Sequence, residues 1–236
     1  MTTTRLQTPD WHEFENGTEL AEALADTVAQ KLRAAIETRG QALLAVSGGT
    51  TPKQFFAELS RQKLDWSKVT VTLVDERFVP ESSDRSNAAL VRNTLLVNEA
   101  SIANFIGLYH AAGDAAEAAR LASAQFATLS WPLDVVILGM GTDGHTASFF
   151  PDAPNLDELL DPARTSMVDP VLTQDGGEPR LTLPLSRLIE AACVILHIEG
   201  EEKRTVLDAA LIPGQAKPIS AVFATSAKPV PVYWTR

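Results

Sequence analysis

The run Val135-Val-Ile-Leu138 holds no polar residue and stops at Gly139, and this combination restricts where it can sit in a fold. A strand with one wet face alternates apolar and polar residues. A continuous Val/Ile/Leu run bounded by glycine is instead a strand covered on both faces, as in a parallel sheet. Ala42–Val46, which breaks off at Ser47-Gly48-Gly49, has the same form, and Val194–Ile198, which precedes Gly200, departs from it only at His197. Residues 69–74, 105–109, 180–183, 219–223 and 230–234 read as further strands. Helical spacing of apolar residues covers 18–39, 88–96, 113–129 and 201–211, with a short helix at 184–191. Strands and helices alternate nearly throughout, which predicts an α/β protein: a mostly parallel doubly wound sheet with helices on both faces. No repeat or linker interrupts the 236 residues, so 1–236 reads as a single α/β domain. The stretch 151–180, rich in proline and acidic residues, is the one candidate for a small additional lobe or lid.

The carboxyl ends of strands are where open α/β sheets bind ligands, so the residues following each apolar run carry the functional reading. Ser47-Gly-Gly-Thr-Thr-Pro-Lys-Gln54 follows the first buried run. Thr51 and Gln54 have capping-box spacing and Pro52 suits a first helical position, so loop amides and a helix amino terminus would converge on one spot. Such a spot binds an anion, most naturally a phosphate. Asp75-Glu76-Arg77 is read as a charged loop at the next strand end. Gly139-Met-Gly-Thr-Asp-Gly144 is followed by His145, an imidazole at a strand end that can exchange protons near neutrality. His12, His110 and His197 read as packing or capping histidines. Lys203 and Arg204 stand in a helix's first turn, where the dipole disfavours cations unless an anion is bound. Arg180, ahead of a Leu-Thr-Leu strand, is a second basic group for that anion.

Two competing motifs are weaker. Gly139–Gly144 matches G-x-G-x-x-G, but Pro151 and Pro154 cut short the helix a dinucleotide needs, and Asp161 does not follow a strand. Ala45-Val-Ser47-Gly-Gly49 resembles a nucleophile elbow, yet Gly-Gly-Thr-Thr-Pro separates the serine from its helix. No His/Asp/Glu cluster has metal-ligand spacing, so neither metal nor cofactor is expected. Twenty basic against thirty acidic residues, a net charge of −10, argue against nucleic acid or an anionic membrane as partner. No signal core or apolar run of ~20 residues is present, and Cys193 is the lone cysteine. A cytoplasmic protein, monomeric or a weak homo-oligomer, is the expectation.

Five segments together resemble the motifs of 6-phosphogluconolactonases, in that family's order and over most of the chain. They are Ser47–Pro52, Asp75–Pro80 with Ser86-Asn87, Gly139–Ser148, Pro179–Leu183 and Gly200–Lys203. Met140 and Thr142 depart from the leucine and proline often found there, without touching catalytic atoms. The resemblance implies hydrolysis of 6-phospho-D-glucono-1,5-lactone to 6-phosphogluconate, on a fold similar to that of glucosamine-6-phosphate deaminases. Those deaminases are the main rival. They carry a glutamate five residues after the histidine, where this chain has Phe150, and usually an aromatic residue in place of Arg77. A sugar-phosphate sensor is a third reading, disfavoured because the acidic arm before residue 18 offers no DNA-binding segment.

On the lactonase reading, His145 is the base toward water. Arg77 stabilises the oxyanion or tunes His145, and Asp143 orients the histidine or a sugar hydroxyl. Asp75 touches the sugar or braces its loop. Ser47, Gly48, Gly49, Thr50, Thr51, Arg180 and Lys203 hold the phosphate.

Overall fold

The computed structural model describes residues 7–173 and 177–236. From the amino terminus run β1 (Asp10–Phe14), α1 (Gly17–Arg39), β2 (Ala42–Val46), α2 (Lys53–Leu59), β3 (Val69–Leu73) and β4 (Asp75–Arg77). Next come α3 (Asn87–Thr94), β5 (Asn104–Ile106), α4 (Ala115–Phe126), β6 (Val135–Leu138), α5 (Leu156–Leu159) and β7 (Asp169–Val171). The chain ends with β8 (Arg180–Thr182), α6 (Leu185–Ile189), β9 (Cys193–Glu199), α7 (Glu201–Ala210), α8 (Pro218–Thr225) and β10 (Pro231–Thr235).

Seven strands form one all-parallel sheet in the order β1-β10-β9-β6-β2-β3-β5. Every residue of β2 and of β6 is buried. Successive side chains leave a strand on opposite faces, so both faces of the sheet are covered there, as the unbroken apolar runs require. From β2 the order steps outward through β3 to β5 on one side, and through β6 and β9 to β10 on the other. The β2/β6 junction is therefore the topological switch point, the place where a ligand crevice opens in a doubly wound sheet.

Helix α1 shows how sequence sets an element. Asn16 Oδ1 accepts from the Glu19 N–H at 3.0 Å as its N-cap, and Gly40, at φ 77°, turns the chain out of the helix. Leu20, Leu24, Val28 and Leu32, one per turn, are fully buried.

Several local expectations change. Residues 219–223 are helical, inside α8. A five-residue, mostly apolar stretch cannot be typed by periodicity, and the start signals decide: Pro218 fills the first turn and the Lys217 N–H donates to Ser220 Oγ at 3.0 Å. The Thr51/Gln54 capping box does not form. Gln54 Nε2 donates instead to Thr18 Oγ1 on α1 at 2.8 Å, and α2 begins after Pro52 with no side-chain cap. β1 is a strand beyond those expected, its pattern masked by Asp10, His12 and Glu13; it pairs with β10 at the sheet edge.

Asp75–Arg77 is not a loop but the strand β4, in a second, antiparallel sheet of order β4-β8-β7. Most of 151–180 is thereby tied down: Val171 and Leu181 of this small sheet and Leu159 of α5 belong to the main core cluster. Residues 174–176 of the expected lobe lie outside the described residues. Among the described residues no helix is long and apolar enough to cross a membrane, and no three His, Cys, Asp or Glu residues group to hold a metal.

Candidate active site

The loops leaving β2 and β6 meet at the switch point. Ser47 N–H donates to the Ile137 carbonyl at 3.0 Å, and Ser47 Oγ accepts from the Gly139 N–H at 3.0 Å. This serine hydroxyl is engaged with backbone, and no histidine hydrogen-bonds to it among the described residues, which argues against an elbow nucleophile. A pocket of about 220 Å³ opens over this junction. One side is the β2 loop, Ser47 through Pro52; another is the β6 loop, with Gly139, Gly141 and His145; the rest includes Asp75, Arg77, Asn87, Arg180, His197 and Lys203. Of the eleven residues singled out from sequence, Asp143 alone does not line this pocket, and it is bonded to His145, which does.

Backbone geometry explains the glycines. A methyl group on Gly48 would lie 1.9 Å from Asn87 Oδ1, so only glycine lets α3 approach the β2 loop. A methyl group on Gly141 would lie 2.3 Å from His145 Cε1 and 2.4 Å from its Nδ1. The imidazole therefore occupies the space that glycine leaves open. No helix follows Gly144 within the turn; the Gly141 N–H donates to the His145 carbonyl and the Gly144 N–H to that of Gly141.

His145 is held on two sides. Its Nδ1 lies 2.6 Å from Asp143 Oδ1, and its own backbone N–H donates to the same oxygen at 3.1 Å. Partial burial works against charge on Asp143, but these two bonds prevail and hold its carboxyl below the ordinary carboxylate range. An ionised carboxylate only accepts, so Nδ1 carries the proton and the lone pair of the neutral ring is on Nε2. The Phe150 ring stands 4.6 Å from the imidazole, and Arg180 Cζ lies 4.9 Å from the centre of the same phenyl ring.

The short sheet supplies the opposite wall. Asp75 Oδ2 accepts from Ser148 Oγ at 2.6 Å and lies 3.9 Å from Arg180 Nη1. Burial lowers the Arg180 pKa from its ordinary value, and the neighbouring Arg77 adds to this against the pull of Asp75 and Glu178. Arg77 donates through Nη1 to the Arg85 carbonyl, while its buried Nε has no partner among the described residues. Lys203 Nζ donates to Thr51 Oγ1 at 3.3 Å; burial pulls its pKa down while Glu199 and Glu202 oppose. Arg204 does not reach the pocket. Its guanidinium sits 4.5 Å from the Trp11 ring centre and 4.4 Å from that of Trp234, and is paired with Glu13.

Four residues given no site role from the sequence shape the site. Glu76, fully buried, accepts from Ser86 Oγ at 2.9 Å and from the N–H groups of Arg77, Asn87 and Ala88 at 2.8 Å each. Burial raises its carboxyl pKa, and the four donors pull the other way. Through it β4 is anchored to the start of α3. Asn87 Nδ2 donates to the Asp75 carbonyl at 2.9 Å. Lys217 packs its stem over Gly144, whose φ is 84°. His197 is 2% exposed and yet lines the pocket. Asp-Glu-Arg followed ten residues later by Ser-Asn hinted at Glu76 and Asn87; nothing local marked Lys217 or His197.

Residues 15–234 match the family model described as glucosamine-6-phosphate isomerases/6-phosphogluconolactonase. A 6-phosphogluconolactonase of Mesorhizobium japonicum is 56% identical over 225 residues, covering 95% of this chain and 94% of that protein. One from Rhizobium meliloti is 55% identical, covering 94% and 97%. The crystal structure of a 6-phosphogluconolactonase from Shewanella baltica superposes with a TM-score of 0.93 at 37% identity, covering 98% of this chain and all of that one. A monomeric glucosamine-6-phosphate deaminase shares the fold at 18% identity, with a TM-score of 0.76.

Proposed function

The chain belongs to the glucosamine-6-phosphate isomerase/6-phosphogluconolactonase family, and from that premise we propose how its residues carry out lactone hydrolysis. The reaction is opening of 6-phospho-D-glucono-1,5-lactone to 6-phosphogluconate, the second step of the oxidative pentose phosphate pathway. The observation that carries the mechanism is the His145–Asp143 pair, which shares one pocket with the Ser47–Thr51 loop and three basic side chains.

Water attacks the lactone carbonyl directly. With Nδ1 committed to Asp143, Nε2 of His145 accepts a proton from that water as its oxygen bonds to carbon. The carbonyl oxygen takes up negative charge, which Arg77 or the Gly-rich backbone stabilises. As the tetrahedral intermediate collapses, the bond to the ring oxygen breaks and the His145 imidazolium returns a proton to that oxygen. The product is an open-chain acid, which ionises. Arg180, Lys203 and the loop from Ser47 to Thr51 hold the 6-phosphate and so fix the distance from phosphate to carbonyl. Asp75, braced by Ser148, faces the sugar.

Phe150 favours hydrolysis over deamination. It places an apolar ring beside His145, where the resemblance puts a glutamate in deaminases to assist ring opening. The test is release of 6-phosphogluconate measured by a coupled dehydrogenase, with spontaneous lactone hydrolysis subtracted, beside ammonia release from glucosamine 6-phosphate. Activity on the amine with none on the lactone would reverse the assignment.

A further inference from the structure

His197 is the one histidine of the pocket lining that the mechanism above leaves unused. It lies on β9 between aliphatic neighbours, with Ile195 and Ile198 fully buried, and the Phe55 ring packs edge-on against it at 6.2 Å. An aliphatic side chain would fill such a strand position at no cost, whereas a buried imidazole must have its nitrogens satisfied. Its Nε2 is 3.1 Å from Glu199 Oε1. The Glu199 carboxyl is held below its ordinary range, chiefly by this bond, with burial opposing and Lys203 assisting. The glutamate is thus an acceptor and Nε2–H the donor.

Nδ1 remains. It makes no hydrogen bond among the described residues, yet it is not one of the sealed, partnerless polar atoms, which are Arg77 Nε, His110 Nε2 and Ser186 Oγ. It is therefore not sealed off, and His197 lines the same pocket as Thr50, Thr51 and Lys203. Lys203 Nζ donates to Thr51 Oγ1 in that lining.

We propose that His197 is a substrate-binding residue: Glu199 fixes its ring through Nε2–H, and Nδ1–H of the imidazolium donates to a phosphate oxygen beside Lys203 and the Ser47–Thr51 loop. This rests on the lactonase reading and extends its phosphate subsite to β9. A positive imidazolium between a carboxylate and a phosphate has each N–H paired with an anion, the arrangement in which such bonds are strongest.

The test compares His197→Leu and His197→Gln with the wild type on the phosphorylated lactone and on unphosphorylated glucono-1,5-lactone. Loss of one charge-assisted bond is expected to raise KM for the phosphorylated lactone by about tenfold in His197→Leu, less in His197→Gln. kcat should stay within about twofold and turnover of the unphosphorylated lactone should be unchanged. An unaltered KM overturns the proposal, as does a kcat that falls as far as kcat/KM, which marks a packing role. A second measurement uses the wild type alone. The imidazole NMR signals of His197, assigned by their loss in His197→Gln, should move as inorganic phosphate is added. Signals that stay fixed at phosphate concentrations that raise the wild-type Tm overturn the proposal even if His197→Leu does not fold. A wild type that hydrolyses both lactones equally well would sink the phosphate subsite altogether. Failure of His197 alone would leave that discrimination intact.

Discussion

Lys217 Nζ donates to the main-chain carbonyl of Asp143 at 3.0 Å, bridging 74 residues of sequence to reach the turn that carries His145. The Ile219 N–H donates to the Gly144 carbonyl at 3.0 Å, so the start of α8 grips that turn at two successive residues. Lys217→Met keeps the stem that packs on Gly144 and removes one bond. A net hydrogen bond is worth about 1 kcal/mol, so kcat should fall about fivefold with KM little changed. Lys217→Arg should recover most of the loss. Steady-state kinetics of the three proteins decides it, and an unchanged kcat in Lys217→Met means the turn holds its shape without this bond.

His145→Ala should lower kcat by ~10²-fold or more while leaving KM within a few-fold, because proton transfer rather than binding is removed. Asp143→Asn should approach the same loss by presenting an amide where the ring needs an ionised acceptor. Since the Asp143 carboxyl is held below its ordinary 3.8 in the folded state, the stability that it adds is complete above that value. It is lost as pH falls through the lower, folded pKa. A carboxyl-carbon NMR titration of the folded enzyme should place the Asp143 midpoint below 3.8; a midpoint at or above it contradicts the pairing.

Gly141→Ala should be nearly inactive yet folded. The new methyl would stand 2.3 Å from His145 Cε1 and 2.7 Å from Asp143 Oδ1, so the part that must yield is the His145–Asp143 pair itself. Circular dichroism and Tm close to wild type, with kcat down at least tenfold, are the expected results. Full activity would show that the ring can work from another rotamer.

Glu76→Gln should unfold more easily although it touches no substrate. The carboxylate accepts four bonds in a fully buried site. With its amide nitrogen at the Oε2 position, where the Ser86 hydroxyl can turn to accept, the glutamine still opposes the Ala88 N–H, a cost of roughly 1–3 kcal/mol. The urea midpoint should drop accordingly, while kcat of the fraction still folded declines less than in His145→Ala.

Phe150→Leu keeps an apolar side chain beside His145 but removes the ring that Arg180 faces. Exposed cation–π contacts contribute about 0.5–1 kcal/mol, so KM for the phosphorylated lactone should rise roughly two- to fivefold. Inhibition by inorganic phosphate should weaken in parallel; if it does not, the Arg180–Phe150 contact is incidental to anion binding.

The large sheet and the grouping at its switch point were legible because they rest on local signals. A buried parallel strand is an unbroken apolar run, and its ligand-facing residues follow directly in sequence. Ser47–Thr51, Arg77, His145 and Lys203 could therefore be placed at strand or helix ends before any pairing was known. What escaped depended on distant partners. Three residues such as Asp75–Arg77 have no period to read and become a strand only by pairing with Arg180–Thr182, over a hundred positions away. Arg204 shares the first turn of α7 with Lys203, yet two tryptophans from β1 and β10 draw it off to the far edge. His197 sits in an apolar run that reads as core, and only the assembled pocket shows that it belongs to the lining.

The alternation within β4 sets a limit on how this enzyme can change. Asp75 and Arg77 line the pocket while Glu76, between them, points the opposite way to its four donors. A single residue, Val74, separates this strand from β3. Inserting or deleting one residue there would shift the tripeptide by half a strand period. The anchoring acid would then face the substrate and the two site residues would be driven into the core. The one-residue spacer before β4 is therefore expected to keep its length wherever the activity survives.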